Sequence, residues 1–215
     1  MSQRNPTQMV IDTITFPFRA LALIESDRWG LSSLASERFD YVSREVIGYC
    51  LDVGCGKHNR FVMEFLDGKG KGIDMYPYEG LTEEHLVDDL SVLPFEDESF
   101  ESITFIANLC HIPESIRDQE LGEAYRVLKP GGNIIATMGN PVAEVLTHKV
   151  VWFYDKVLKT NFDMDNQRGM SEEEAYYLLD GEILERLTRA GFKRIVKKFF
   201  WTQWGLNHLF VGWKE

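Results

Sequence analysis

Tyr49-Cys50-Leu51-Asp52-Val53-Gly54-Cys55-Gly56-Lys57 reads as a short apolar strand running into a tight glycine turn. Two glycines separated by one residue let backbone N–H groups approach a ligand, because no Cβ intervenes. A helix predicted over Asn59 to Leu66 would aim its positive N-terminus at the same place. That combination suits an anionic or carboxylate-bearing cofactor. The dinucleotide pattern G-x-G-x-x-G is not completed, since its third glycine would fall on Asn59.

Outward from this turn, Lys71-Gly72-Ile73-Asp74 forms a second strand ending in an acid 18 positions after Gly56. An acid at such a strand tip, about 20 residues on, can accept both hydroxyls of a ribose. Asp88-Asp89-Leu90 follows, then Leu93-Pro94-Phe95-Glu96-Asp97-Glu98-Ser99-Phe100, then Ala124-Tyr125-Arg126-Val127-Leu128-Lys129-Pro130-Gly131-Gly132. With these motifs in this order over residues 49–137, the chain resembles the class I S-adenosylmethionine (SAM)-dependent methyltransferases, specifically the small type 11 domain. The resemblance implies an α/β fold: a doubly wound, mostly parallel seven-stranded Rossmann-like sheet with helical cap elements. It implies SAM as cofactor and S-adenosyl-L-homocysteine as product.

The resemblance also implies roles. Asp52, Gly54, Cys55 and Gly56 would cradle the methionine part of SAM. Asp74 would take the ribose hydroxyls, with Met75 beside the adenine. Asp89 would accept from the adenine amino group, and the Leu90 amide would address the ring. Ile106 and Ala107 would face the reacting end. One departure stands out: where the family often has a third glycine, as G-x-G-x-G, this chain has His58.

Composition sets bounds. The 215 residues are 44% hydrophobic and 13% aromatic, enough for one sizeable core. A net charge of −11 opposes non-specific attraction to nucleic acid or anionic lipid. Cys50, Cys55 and Cys110 make no C-x-x-C pair, which suits a reducing cytoplasm and no metal. Asp12, Arg19, Glu25 and Asp27 interrupt any secretory h-region, and no apolar run reaches the ~18 residues of a membrane span.

Along the chain, residues 1–10 read as polar and frayed, Pro17 starts a short helix, and Ser33 to Ile47 reads as another. Alternating strands and helices follow: strands at 49–53, 70–74, 86–88, 102–107 and 133–138, with a helix near Arg117 to Leu128. Val142 to Lys159 reads as a helix whose apolar stripe packs on the core or cap. Ser171 opens a short helix, and Asp180 caps the next, with Ile183, Leu184 and Leu187 inward. Phe192 to Phe200 and His208 to Trp213 close the sheet. The basic run Lys193, Arg194, Lys197 and Lys198 reads as an exposed edge. The expected organisation is a single domain over 1–215. It has a helical extension (1–47), a SAM-binding core (48–139), a helical insertion acting as a lid (140–181), and a C-terminal helix and strand pair (182–215).

Methyl transfer from a sulfonium asks for alignment and desolvation more than acid–base help. No catalytic residue is therefore assigned. His111, just after the fourth strand, is either a general base or a structural hydrogen-bonding group. His148 and Trp152 are expected to face the acceptor, a small or medium-sized molecule. A non-catalytic SAM-binding or interaction module and, behind it, a nicotinamide-dependent oxidoreductase are the alternatives.

Overall fold

Cys50–Val53 (β1) is buried along its whole length, as an apolar strand flanked on both sides must be. In the computed structural model, which describes residues 4–24, 26–159 and 177–215, β1 lies between Gly70–Ile73 (β2) and Phe100–Ile106 (β3), parallel to both. Leu128–Gly139 (β4) continues the parallel run beside β3. Two further strands, Lys193–Phe199 (β5) and Asn207–Trp213 (β6), complete an order β2-β1-β3-β4-β6-β5, with β6 antiparallel to both its neighbours. The doubly wound α/β fold is as expected, with six strands among the described residues rather than seven. The strand expected at 86–88 is reduced to a single parallel bridge between Asp74 and Leu86. The two charges that follow it, Asp88 and Asp89, are exposed, which keeps this edge short.

Five helices cover the sheet among the described residues: Pro6–Leu21 (α1), Leu34–Ser43 (α2), Glu114–Val127 (α3), Pro141–Leu158 (α4) and Asp180–Arg189 (α5). One core packs α3 and α5 on one face, through Leu121, Ala124, Ile183 and Leu187 against Ile103, Ile134 and Phe210. The other packs Val42 and Phe61 against Ile135, Leu209 and Val211.

Residues 6–10, expected to be frayed, are helical. Asn5 caps α1 by accepting from the Gln8 N–H at 2.8 Å, and Pro6 occupies the first turn, where no N–H is needed. Pro17 lies inside α1 rather than starting a helix. Its missing N–H deprives the Thr13 carbonyl of its helical donor. The indole Nε1–H of Trp204 donates to that carbonyl instead, at 2.9 Å. The inward face of α1 is largely polar: the fully buried Arg19 guanidinium donates to Glu37 on α2 at 2.9 Å and to the Ser32 and Asp12 carbonyls. Of its apolar residues Phe16 is buried beside Trp204, while Val10, Ile14, Phe18 and Leu21 are exposed.

The helix expected over Asn59 to Leu66 is one π turn, Phe61–Phe65, behind a 3-10 turn at Lys57–Asn59. His58 and Asn59 hold φ of 59° and 47°, so right-handed winding starts only at Arg60. Leu179, not Asp180, is the N-cap residue of α5, and Leu184 is exposed. Of the apolar stripe expected on α4, Phe153 and Val157 are exposed and Val150 and Tyr154 half-buried, and the helix leans on α1. The helix expected from Ser171 falls outside the described residues. The basic run lies on β5, the sheet's edge strand, as expected. Lys198 bonds Glu45 at 2.7 Å, and Lys197 bonds Asp180. No helix of the described residues is long and apolar enough to cross a membrane.

Candidate active site

The carboxyl ends of β1, β2 and β3 open onto one rim, at the point where strand order reverses about β1. Ligands of open α/β sheets sit there. The glycine turn is clipped to this rim by its own amides. Gly54 and Cys55 both donate to the Ile73 carbonyl, at 2.8 and 3.0 Å, and Gly56 donates to Asp74 Oδ2 at 3.0 Å. These N–H groups are thus engaged within the protein, contrary to the expectation that they face a ligand. What the glycines provide is room. Gly56 holds φ 64° and ψ −164°, a region closed to other residues, and a Cβ there would meet nothing within 4 Å. Gly54 (φ 74°) is different: its Cβ would fall 2.2 Å from the Asn108 amide nitrogen.

His58, standing where the family has glycine, makes the bend by adopting the left-handed conformation itself. It is held by donation from its N–H to the Glu79 carbonyl at 2.8 Å. Gly80 lies under its ring, where a Cβ would be 2.1 Å from Nδ1.

Two cavities meet at the glycine turn. One, of about 490 Å³, brings together Gly54, Gly56, Asp74, Met75, Leu90, Ile106, Ala107 and His111. The other, of about 850 Å³, shares Gly54, Gly56 and Ile106 with it and adds Asp52 and Cys55 beneath Arg38 and Phe39 of α2. Together they are two halves of one cleft, within the ordinary range of about 300–1,000 Å³ each.

Asp74 stands at the centre. Besides Gly56, its carboxylate accepts the Tyr76 N–H at 2.9 Å, which leaves lone pairs on both oxygens for a ligand's hydroxyls. Asp52 is buried below, accepting from the Thr104 hydroxyl at 2.6 Å. Burial pushes its carboxyl up to about 7, with the Thr104 bond opposing and the charge of Asp74 adding to the rise. Burial, reinforced by Asp52 and Asp74, likewise raises the Cys55 thiol far above its ordinary value, so Cys55 is no nucleophile at neutral pH.

Two predicted residues, Asp89 and Trp152, are not brought into the cleft. Asp89 is exposed and lines neither cavity; the hydroxyl and N–H of Ser91 hold its carboxyl below the ordinary range. Trp152 is exposed on α4 with the Lys156 ammonium 4.5 Å from its ring centre. His148 is in α4, but its side chain lies outside the described residues.

Residues not singled out by sequence complete the wall: Tyr76, Tyr78, Asn108, Ile112, Pro113 and Ile116. Asn108 follows Ala107, which holds a left-handed φ of 56° and donates to Thr137 Oγ1 at 2.9 Å. The Asn108 amide donates to the Val53 carbonyl, and its Oδ1 is buried without a donor. Its place immediately after Ile106 and Ala107 was the one available signal.

The family described as "Methyltransferase domain" matches residues 51–136. Over this stretch the chain is similar to the methyltransferase-domain family. The match covers the glycine turn, Asp74, Asp89, strand β3 and most of β4. Among curated proteins it is similar to the ubiquinone/menaquinone biosynthesis C-methyltransferase UbiE of Brucella canis, 30% identical over 128 residues. That alignment spans 57% of this chain and 46% of the relative, so the chain spans about half the length of the protein it matches. Among solved structures it resembles a SAM-dependent methyltransferase from Thermotoga maritima, at 17% identity and TM-score 0.58, covering 97% of this chain and 98% of that one. It also resembles phosphoethanolamine N-methyltransferase 2 of Haemonchus contortus, solved with SAM, at 14% identity and TM-score 0.52, covering 83% of this chain and 52% of that one. At these identities the structural likeness speaks for the fold.

Proposed function

We propose that the protein transfers a methyl group from SAM to a small or medium-sized acceptor, releasing S-adenosyl-L-homocysteine. One observation carries this reading: a cleft at the strand-order reversal whose centre is Asp74 and whose floor, at Gly56, has space where a side chain would stand. The residues present fit the cofactor. Asp74 has acceptor capacity for two hydroxyls, Met75 and Leu90 offer an apolar slot, and the orphaned Asn108 Oδ1 awaits a donor. When bound, SAM supplies an activated methyl group; the rest is the protein's to align and to keep dry.

In this reading Asp74 orients the ribose, Asp52 and the glycine turn hold the amino-acid end, and Ile106 and Ala107 border the reacting end. Asp89, outside the cavity but next to the Leu90 that lines it, would accept from the adenine amino group. His111 lines the same cavity, where it either takes an acceptor proton or holds the wall by hydrogen bonding. Residues 1–47 and 140–181 are assigned to a lid. The buried Arg19–Glu37 pair ties α1 to α2, so closure falls to α4. Trp152→Ala should then spare product binding and lower acceptor turnover; unchanged turnover would remove Trp152 from the lid.

The deciding experiment is calorimetric titration with SAM, its product and NADH, followed by a screen of labelled SAM against cell extract. The quinone named for the Brucella relative belongs in the first acceptor panel. NADH binding tighter than SAM would overturn the reading. SAM binding with no labelled product from any extract would make the protein a binding module.

A further inference from the structure

Glu120 is a carboxylic acid that the proposed chemistry does not use. It lies on α3 one turn beyond Ile116, whose side chain lines the cavity beside Leu90. It is 1% exposed, and its Oε1 is sealed without a hydrogen-bond donor. Such a group costs stability that a leucine would not. The loop that carries Asp89 and Leu90 lies along this stretch of α3, with Gln119 donating to the Ser91 carbonyl at 3.1 Å and Glu123 accepting from the Leu93 N–H at 2.9 Å, and Arg117 is on the same helix. Arg117 is committed elsewhere, donating to the Ile112 carbonyl at 2.7 Å and to Glu182 on α5 at 3.2 Å. Burial first, and then the Asp89 charge, push the Glu120 carboxyl up to about 8, with Arg117 opposing. At neutral pH Glu120 therefore holds its proton while the exposed Asp89 is ionised.

We propose that Glu120 is a positioning residue that couples a proton to occupancy of the adenine end of this cleft. The inference rests on the methyltransferase reading, in which Asp89 meets the adenine amino group. A ligand covering Asp89 takes that carboxylate out of water and strengthens its repulsion with any second carboxylate behind it. An ionised Glu120 then opposes the bound state, and a protonated one does not. Cofactor and proton bind together: occupancy raises the Glu120 pKa further, and affinity falls as pH rises through the free protein's value.

The test is titration of the full chain with S-adenosyl-L-homocysteine from pH 6.5 to 9.5, in buffers of differing ionisation enthalpy. The wild type should lose at least about fivefold in affinity across the upper half of this range, the low end of ordinary coupling between sites. It should also take up protons on binding near pH 8.5. Glu120→Gln keeps the shape and removes the titration, so it should abolish both effects while preserving affinity at pH 7. Asp89→Asn, on the surface, should also flatten the profile and in addition weaken binding at pH 7. Ionisation of the ligand's own amino group affects all three proteins alike and cancels in the comparison. Identical pH profiles and proton uptake in wild type and Glu120→Gln would overturn the inference while leaving the methyltransferase reading intact. Failure to bind at any pH would overturn both.

Discussion

Gly56→Ala separates the two things a glycine can do at this turn. The backbone there has φ 64° and ψ −164°, so a side chain incurs strain whatever the space around it. That strain is of order 1–3 kcal/mol. Nothing lies within 4 Å of the added Cβ, so no clash adds to it within the free protein. For a domain of this size each kcal/mol moves the melting temperature by about 2–4 °C, which sets the expected drop at roughly 2–12 °C. The folded variant should nonetheless lose SAM affinity by about two decades, or ~2.7 kcal/mol, because the methyl group projects into the open space of the cleft. Gly54→Ala is the contrasting case: its Cβ would strike Asn108 at 2.2 Å, so both stability and binding should suffer more. The assay pairs urea unfolding of each variant with calorimetric titration of product. If Gly56→Ala loses stability as predicted yet binds product within threefold of wild type, Gly56 is a turn residue and the cleft floor lies elsewhere.

Asp74→Ala removes the acceptor of the Gly56 and Tyr76 amides as well as that proposed for the ribose. Charge-assisted bonds of about 1.5–3 kcal/mol predict a ten- to hundredfold loss of SAM affinity, with Asp74→Asn intermediate; unchanged affinity in a calorimetric titration would remove Asp74 from the site. Asp52 binds its proton more tightly folded (about 7) than unfolded (3.8), so unfolding releases a proton and stability falls as pH rises between those values. The full effect is on the order of 4 kcal/mol, and Asp52→Asn should lack it; parallel wild-type and variant stabilities from pH 4 to 8 would refute the buried-acid account. Trp204→Phe keeps the ring but strips the Thr13 carbonyl of its donor, so α1 should lose about 0.5–1.5 kcal/mol and exchange its amides faster near Pro17. Unaltered exchange there would mean that water replaces the indole at no cost.

The parallel core was legible in the sequence because its signals are local. A buried strand is a run of apolar residues, a helix repeats at three and four residues, and a turn shows its glycines. That is why β1 to β4, α3, the edge character of β5 and the convergence of Gly54, Gly56, Asp74, Leu90 and Ile106 could all be written down from the chain alone. What the sequence could not show depends on partners distant in the chain. No local pattern marks Arg19 as core, and contact with Glu37 makes it so. The proline in α1 looks like a helix start until Trp204, 191 residues away, caps the carbonyl it orphans. No local pattern marks the Glu120 carboxyl on α3 as buried; tertiary packing seals it. The glycine turn belongs to both kinds: its residue types announced a close approach, but the destination of its amides was decided by the end of β2. A backbone donor bonds whichever acceptor the fold brings near, and the Ile73 carbonyl and Asp74 arrive there only when β1 and β2 pair.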